Sequence, residues 1–296
     1  MRHFLLLLIL LLTLTSCGGE PASPSGTSAP VILTSTTFLT DITRNIAGDR
    51  LVVESLLPIG ADPHSYQPTP QDVTKISQSK LLIINGADYE QFLKPLLENA
   101  GGEREVIEAS AGINLRKDAQ GVADPHVWLN PNNVIVYVEN IREALTHFDP
   151  QGAAVYQANA DAYVLELKKL DAWIIEQANQ IPPERKLLIT NHEAFGYFAE
   201  RYGFSIAGTV IESFSSDASP SAQQMAALID QIKSSSAPAI FLDASDNTTL
   251  AQQIAAETNV RVITDLHLES LTDGAPAGTY IDMLKYNVTQ IVNALK

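Results

Sequence analysis

Three histidines lie in loops at similar positions of the predicted fold, where their side chains could bind a metal ion. His64 lies in Gly-Ala-Asp-Pro-His-Ser-Tyr-Gln-Pro, His126 in Asp-Pro-His-Val-Trp-Leu-Asn-Pro and His192 in Thr-Asn-His-Glu-Ala-Phe-Gly. Each lies in the loop beyond a predicted strand or at the start of a predicted helix, and ligands of open α/β sheets bind at that edge. A single loop histidine is more often structural, but three in equivalent places favour a shared transition-metal site.

Asp265 is the predicted fourth donor of this site. It follows the apolar run Val260–Ile263 just as His192 follows its own apolar run. Three imidazoles and one carboxylate are compatible with tetrahedral Zn²⁺, and a bidentate carboxylate would raise the coordination number for Mn²⁺. The four donors are 62, 66 and 73 residues apart in sequence order, so two come from each half of the chain. The pattern therefore predicts an ion held between two lobes, which suits capture and release.

Two other functions are compatible with a metal site of this composition. Glu193 directly follows His192 and would be the general base of a zinc hydrolase, but the fourth residue after His192 is Gly196, so the chain lacks H-E-x-x-H. A surface adhesin that the metal merely stabilises is the other alternative. His267 lies two residues after Asp265 and could replace it or join it.

Short apolar runs alternate with segments of helical period, which is typical of parallel α/β units. The predicted first lobe covers residues 30–148 and the second lobe covers residues 182–296. The predicted strands are Val31–Ser35, Leu51–Leu56, Leu81–Ile84, Glu105–Glu108, Lys186–Thr190, Ser205–Ile211, Ile240–Leu242 and Val260–Ile263. The predicted helices are Phe38–Ile46, Pro70–Ile76, Glu90–Ala100, Pro131–His147, Ala194–Tyr202, Ala222–Ser234, Thr248–Glu257 and Tyr280–Leu295.

Residues 149–181 are predicted to form one helix that links the lobes. Asp149 is a plausible N-cap and Pro150 suits the first helical position. A continuous apolar face follows, and about 28 helical residues would extend about 42 Å, longer than one small domain needs. A long helix packed on a single domain is the alternative interpretation. The face consists of Tyr156, Tyr163, Leu167, Leu170 and Ile174.

The N-terminus predicts export and a lipid anchor. Arg2 precedes the apolar run Phe4–Leu14, which is too short to span a bilayer and indicates a signal peptide over residues 1–16. Cys17, the only cysteine, follows Leu-Thr-Ser as in a bacterial lipobox, so we expect it to be acylated. Residues 18–29 are small and polar and would form a flexible tether.

The charge of the chain favours a cationic ligand over nucleic acid. Nineteen Lys and Arg residues against 34 Asp and Glu residues give a net charge of −15. No basic cluster is dense enough to bind a phosphate backbone, so nucleic-acid binding is not expected.

The chain resembles the metal-binding solute-binding lipoproteins of bacterial ABC importers, the zinc/manganese group. The resemblance implies two α/β lobes joined by one rigid helix, with metal ligands at His64, His126, His192 and Asp265. It also implies that the protein is not an enzyme and that a permease and an ATPase are its partners. We expect a monomer. Many manganese members have glutamate where this chain has His192, so zinc is expected here, with manganese as the alternative. The matching motifs are Cys17 with its lipobox, Gly60-Ala-Asp-Pro-His64 with Tyr66, Asn85-Gly86 with Glu90 and Phe92, Asp124-Pro-His-Val-Trp-Leu129, Tyr156 with Asn159 and Tyr163, His192-Glu-Ala-Phe-Gly-Tyr197, Ser219-Pro-Ser221 and Thr264-Asp265.

Overall fold

Two parallel four-stranded sheets form the centre of the molecule, as the computed structural model shows. The structure describes residues 32–235 and 237–296, so the predicted signal peptide, Cys17 and the tether lie outside the described residues. The strands are β1 Ile32–Thr34, β2 Val53–Ser55, β3 Leu81–Ile84, β4 Glu105–Glu108, β5 Leu187–Thr190, β6 Ser205–Thr209, β7 Ala239–Asp243 and β8 Arg261–Leu266. The helices are α1 Thr37–Ala47, α2 Pro70–Gln78, α3 Leu93–Ala100, α4 Pro131–Phe148, α5 Ala153–Ala178, α6 Gly196–Tyr202, α7 Ala222–Ser235, α8 Thr249–Thr258 and α9 Tyr280–Leu295.

The two sheets share one topology. The first sheet has the strand order β2-β1-β3-β4 and the second has the order β6-β5-β7-β8, and every pairing is parallel. Parallel strands are buried on both faces, which is why the central strands are continuous apolar runs; all five residues of β7 are buried. The predicted α/β class with two lobes is therefore confirmed.

Helix α5 lies between the two halves of the molecule, which are the first sheet with α1 to α4 and the second sheet with α6 to α9. It packs on helices of both halves. Its 26 residues extend about 39 Å at 1.5 Å per residue. The buried stripe includes Tyr156, Leu167 and Ile174, and it packs against α1, α4 and α9. The largest hydrophobic core continues from the first sheet along this stripe to Leu188 and Phe198 of the second half. Among the described residues, none of the helices combines the length and apolar character that a membrane crossing requires.

The start of this helix differs from the prediction. Residues Pro150–Gly152 form a short 3-10 turn, and the α-helix begins at Ala153. Asp149 makes no capping hydrogen bond with its side chain. Its carboxylate pairs with Arg50 and accepts a hydrogen bond from Tyr156 at 2.6 Å, and these stronger partners replace the predicted N-cap role.

Asp171 ties α5 to both halves of the molecule, and we expect Asp171→Asn to destabilise the protein by about 2 kcal/mol. The carboxylate accepts hydrogen bonds from Arg201 and Tyr202 of α6 and from Asn132 of α4, at 2.6 to 3.0 Å. The amide would lose the charge that faces the Arg201 guanidinium. Urea unfolding at neutral pH measures this loss. Asp161→Asn, an exposed change on the same helix, should alter stability by less than about 0.5 kcal/mol.

The effect of Asp171→Asn should also depend on pH. Burial opposes ionisation, but the hydrogen bonds from Arg201 and Tyr202 outweigh it, so the pKa of Asp171 is lowered. A lowered pKa contributes stability above about pH 4, the ordinary pKa of aspartate, and this stability is lost as the pH falls through the lowered pKa. The difference between wild type and variant should therefore shrink in acid. A difference that stays constant down to about pH 2 would show that the Asp171 charge does not stabilise the fold.

Candidate metal centre

The three predicted histidines lie together where the two halves of the molecule meet. His64 lies in the loop between β2 and α2, His126 lies just before the 3-10 turn that leads into α4, and His192 follows β5. The ring centroid of His64 lies 5.5 Å from that of His126 and 5.3 Å from that of His192. The structure therefore brings together three side chains from loops that are distant in the sequence.

A fourth side chain, Glu269, completes the cluster. Its Oε1 atom lies 3.6 Å from Nε2 of His126 and 3.4 Å from Nε2 of His192, and these two nitrogens lie 3.2 Å apart. One donor atom from each of the four residues, His64 included, lies within 4.8 Å of every other. Three nitrogens and one oxygen at this spacing are a ligand set for a transition-metal ion.

Asp265 does not lie in this cluster, although the sequence pattern placed it beside the three histidines. The strand β8 ends at Leu266 rather than at Ile263, so Asp265 lies within the strand and not in the loop beyond it. Its side chain is exposed and accepts a hydrogen bond from Tyr286 at 2.6 Å. The loop after β8 instead presents Glu269. His267 is also outside the cluster, with its ring 5.5 Å from that of Tyr286.

The donor atoms of the cluster are buried and incompletely paired. His126, His192 and Glu269 are 0%, 2% and 3% exposed. Nε2 of His64 and Oε1 of Glu269 have no hydrogen-bond partner among the described residues. Buried polar atoms are nearly always paired, so two unpaired atoms in one cluster require an explanation. A cation bound between them would satisfy both.

Buried carboxylates and backbone contacts orient the ligand side chains. Oδ1 of Asp124 lies 2.9 Å from Nδ1 of His126, and since an ionised carboxylate can only accept, the proton is on Nδ1 and the lone pair is on Nε2. Asp243 accepts hydrogen bonds from the amides of Leu268 and Glu269. The Trp128 indole donates to the Leu268 carbonyl at 2.9 Å. These contacts fix the Glu269 loop against both halves of the protein.

The electrostatics of the cluster leave its donors ready for a cation. Burial lowers the pKa of His64 to about 4, so this imidazole is neutral at pH 7. Burial alone would raise the pKa of Glu269, but the close approach of His192 and the nearby His126 and His64 lower it to about 2. Burial alone would lower the pKa of His192, but the nearby carboxylate of Glu269 raises it. Metal binding at His192 therefore competes with protonation of its imidazole.

Glu193 lies beside the cluster but does not enter it. It lines a cavity of about 600 Å³ between the halves, together with Asp118, Asp124 and Glu212. Burial and these neighbouring carboxylates raise the pKa of Glu193. Arg116 and Lys117 also line the cavity, so its four carboxylates leave an excess of negative charge, which favours the approach of cations.

Comparison with known proteins identifies the family. Residues 32–294 match the family "Zinc-uptake complex component A periplasmic". The manganese-binding lipoprotein MntA of Halalkalibacterium halodurans is 34% identical, and the match covers 98% of this chain and 96% of MntA. The iron-binding protein YfeA of Yersinia pestis is 34% identical, over 91% of this chain and 88% of YfeA. The periplasmic zinc-binding protein TroA of Treponema pallidum superposes with a TM-score of 0.85 at 29% identity, over 90% of this chain and 99% of TroA.

These matches exclude one of the functions left open by the sequence. Family members are substrate-binding proteins of metal importers, which excludes the hydrolase alternative. They act as periplasmic or surface lipoproteins, as predicted for this chain. The chain therefore belongs to the family of periplasmic zinc-uptake component A and is a metal-binding substrate-binding protein of an ABC importer.

Proposed function

We propose that this protein captures Zn²⁺ with His64, His126, His192 and Glu269 and delivers it to the permease of its importer. One observation carries the proposal: three imidazole nitrogens and one carboxylate oxygen lie close together. Two of the donor atoms, Nε2 of His64 and Oε1 of Glu269, are buried and have no hydrogen-bond partner among the described residues. The histidines of the first half and the two ligands of the second half would hold the ion between them. Separation of the halves would then release it.

The types of the donors support zinc over manganese, and the spacing of three of them fits a tetrahedral zinc site. A tetrahedral site with metal–ligand bonds of about 2.0 to 2.1 Å has ligand atoms about 3.3 to 3.4 Å apart, since the tetrahedral edge is about 1.63 times the bond length. The three separations among the donors of His126, His192 and Glu269 are 3.2, 3.4 and 3.6 Å, and the donor of His64 lies within 4.8 Å of each of them. Three imidazoles also suit Zn²⁺ better than Mn²⁺, which prefers oxygen ligands. Manganese, which MntA is named for binding, is the alternative cargo.

The remaining parts of the proposal concern the chain around the site. Cys17 would carry the lipid anchor, and residues 18–29 would tether the folded part to the membrane. Residues 30–148 and 182–296 would act as the two lobes on either side of the helix within residues 149–181. The protein would act as a monomer that meets one permease with its ATPase.

Uptake measurements test the identity of the cargo. Nitrogen and oxygen sites generally bind Zn²⁺ more tightly than Mn²⁺, so equilibrium affinity alone does not identify the transported ion. We expect a strain lacking this gene to lose uptake of radioactive zinc and to keep uptake of radioactive manganese. The full chain should restore zinc uptake, and His192→Ala should not.

Two outcomes of this experiment would contradict the proposal. Loss of manganese uptake alone would keep the transport function but show that manganese is the cargo. Normal uptake of both metals, together with a full chain that binds neither, would contradict metal capture and favour the adhesin. His147→Ala is the matched control, because His147 is exposed and lies outside the cluster.

A further inference from the structure

The two carboxylate oxygens of Glu269 have different surroundings. Oε1 faces Nε2 of His126 and of His192 and has no hydrogen-bond partner among the described residues. Oε2 accepts a hydrogen bond from the Tyr89 hydroxyl. Both side chains are buried, with Tyr89 at 1% exposure, so water cannot replace this bond. One oxygen is thus available to a metal ion while the other is occupied by the protein.

Tyr89 is held firmly in the place from which it donates this bond. Its ring centroid lies 4.8 Å from that of Trp128 and 5.2 Å from that of His64. The turn before it is left-handed at three successive residues, with φ of 83°, 54° and 59° at Gly86, Ala87 and Asp88. Ala87 and Asp88 carry side chains, and such residues adopt this conformation only where the surroundings impose it.

The carboxylate of Glu90 imposes this turn. It accepts hydrogen bonds from the amides of Asn85 and Gly86 at 2.6 and 3.2 Å and from the Ser35 hydroxyl at 2.6 Å. Glu90 is buried, so these bonds are shielded from water. These bonds hold the backbone that carries Tyr89 at the ends of β1 and β3, and the packing of its ring on Trp128 and His64 keeps the hydroxyl beside Glu269.

We infer that Tyr89 is a specificity-determining positioning residue that restricts Glu269 to one metal-binding oxygen; this rests on the proposed function. Three imidazoles and one monodentate carboxylate give four ligands, the coordination number that Zn²⁺ usually has in proteins. A bidentate carboxylate would add a fifth ligand and a second hard oxygen, which favours Mn²⁺. The Tyr89 hydroxyl withholds that oxygen and so biases the site towards zinc.

Tyr89→Phe in the full chain tests the inference, because it removes only the hydroxyl. Affinities for Zn²⁺ and Mn²⁺ are measured separately by chelator competition. We expect the ratio of the Zn²⁺ affinity to the Mn²⁺ affinity to fall by about 10- to 100-fold, the usual effect of removing an outer hydrogen-bond partner of a ligand. The visible spectrum of bound Co²⁺ reports the geometry: the wild type should show the intense bands of four-coordinate cobalt, and the variant should show the weaker bands of a five-coordinate ion.

Tyr280→Phe is the matched control. Tyr280 is also fully buried, and its hydroxyl donates to the Trp128 carbonyl at 2.6 Å, away from the four ligands. The control should keep the wild-type affinity ratio and cobalt spectrum. If both variants change the affinity ratio and the cobalt spectrum alike, the cause is a general loosening of the fold, and the inference is overturned.

The wild-type protein provides a test that needs no variant. A five- or six-coordinate cobalt spectrum of the wild type would overturn the inference even if Tyr89→Phe failed to fold. An unchanged ratio and spectrum in a folded Tyr89→Phe protein would also overturn it, while leaving zinc capture intact. A wild-type chain that binds neither metal would instead contradict the proposed function itself.

Discussion

Glu269→Gln should lower the affinity of the full chain for Zn²⁺ by about 100- to 1000-fold, whereas Asp265→Asn should change it by less than about twofold. Structural zinc sites bind with about 10 to 16 kcal/mol, so one of four ligands accounts for about 2.5 to 4 kcal/mol, or roughly two to three powers of ten. The glutamine keeps the size of the side chain and removes the charge that faces the three imidazoles.

The contrast between the two acidic residues follows from their positions. Oε1 of Glu269 lies within 3.6 Å of two histidine nitrogens and is shielded from water. Asp265 is exposed, and its carboxylate is already bonded to the Tyr286 hydroxyl. Neutralising an exposed carboxylate outside the site should change binding only through weak, screened electrostatics.

Calorimetric titration of the metal-free protein, with a competing chelator for the tightest cases, measures both variants. Circular dichroism of the metal-free forms checks that each is folded. A large loss of affinity in Asp265→Asn together with near-normal binding in Glu269→Gln would restore the ligand set predicted from the sequence. Equal small effects would show that neither carboxylate binds the ion.

The fold was predictable because its central strands and helices are strongly patterned. Buried parallel strands must be apolar on both faces, and the central strand Leu81–Ile84 has the predicted bounds. The edge strand Glu105–Glu108 and the amphipathic helix Tyr280–Leu295 also have the predicted bounds. Loops had to follow these runs, and this placed His64, His126 and His192 near one edge. Convergence of the three into one cluster depends on how the two halves pack across α5, which no local pattern encodes.

The position of Asp265 was mispredicted because β8 is an edge strand. It pairs only with β7, so one side of it faces solvent and tolerates the polar residues Thr264 and Asp265. The apolar run ends at Ile263, but the hydrogen-bonded strand continues to Leu266. The available signal was a carboxylate, Glu269, in the apolar sequence Leu-His-Leu-Glu-Ser-Leu, which is an unusual place for an unpaired charge.

Saturating Zn²⁺ should stabilise the full chain by about 4 kcal/mol when its free concentration is about 1000 times the dissociation constant. For a protein of this size the unfolding midpoint should rise by about 10 °C. The effect requires that the unfolded chain binds the ion weakly. Because His64, His126, His192 and Glu269 are separated by 62 to 77 residues in the sequence, the unfolded chain would close long loops to gather them.

The same titration with His192→Ala separates site binding from a general effect of zinc. His192 is buried and its Nε2 lies 3.2 Å from that of His126 and 3.4 Å from Oε1 of Glu269, so its loss should remove most of the shift. His147→Ala, which changes an exposed histidine that pairs with Glu105, should keep the full shift. A similar increase in all three proteins would mean that zinc stabilises the fold elsewhere. A selective loss in His192→Ala would mean that the ion binds across both halves, since His126 and His192 come from different halves.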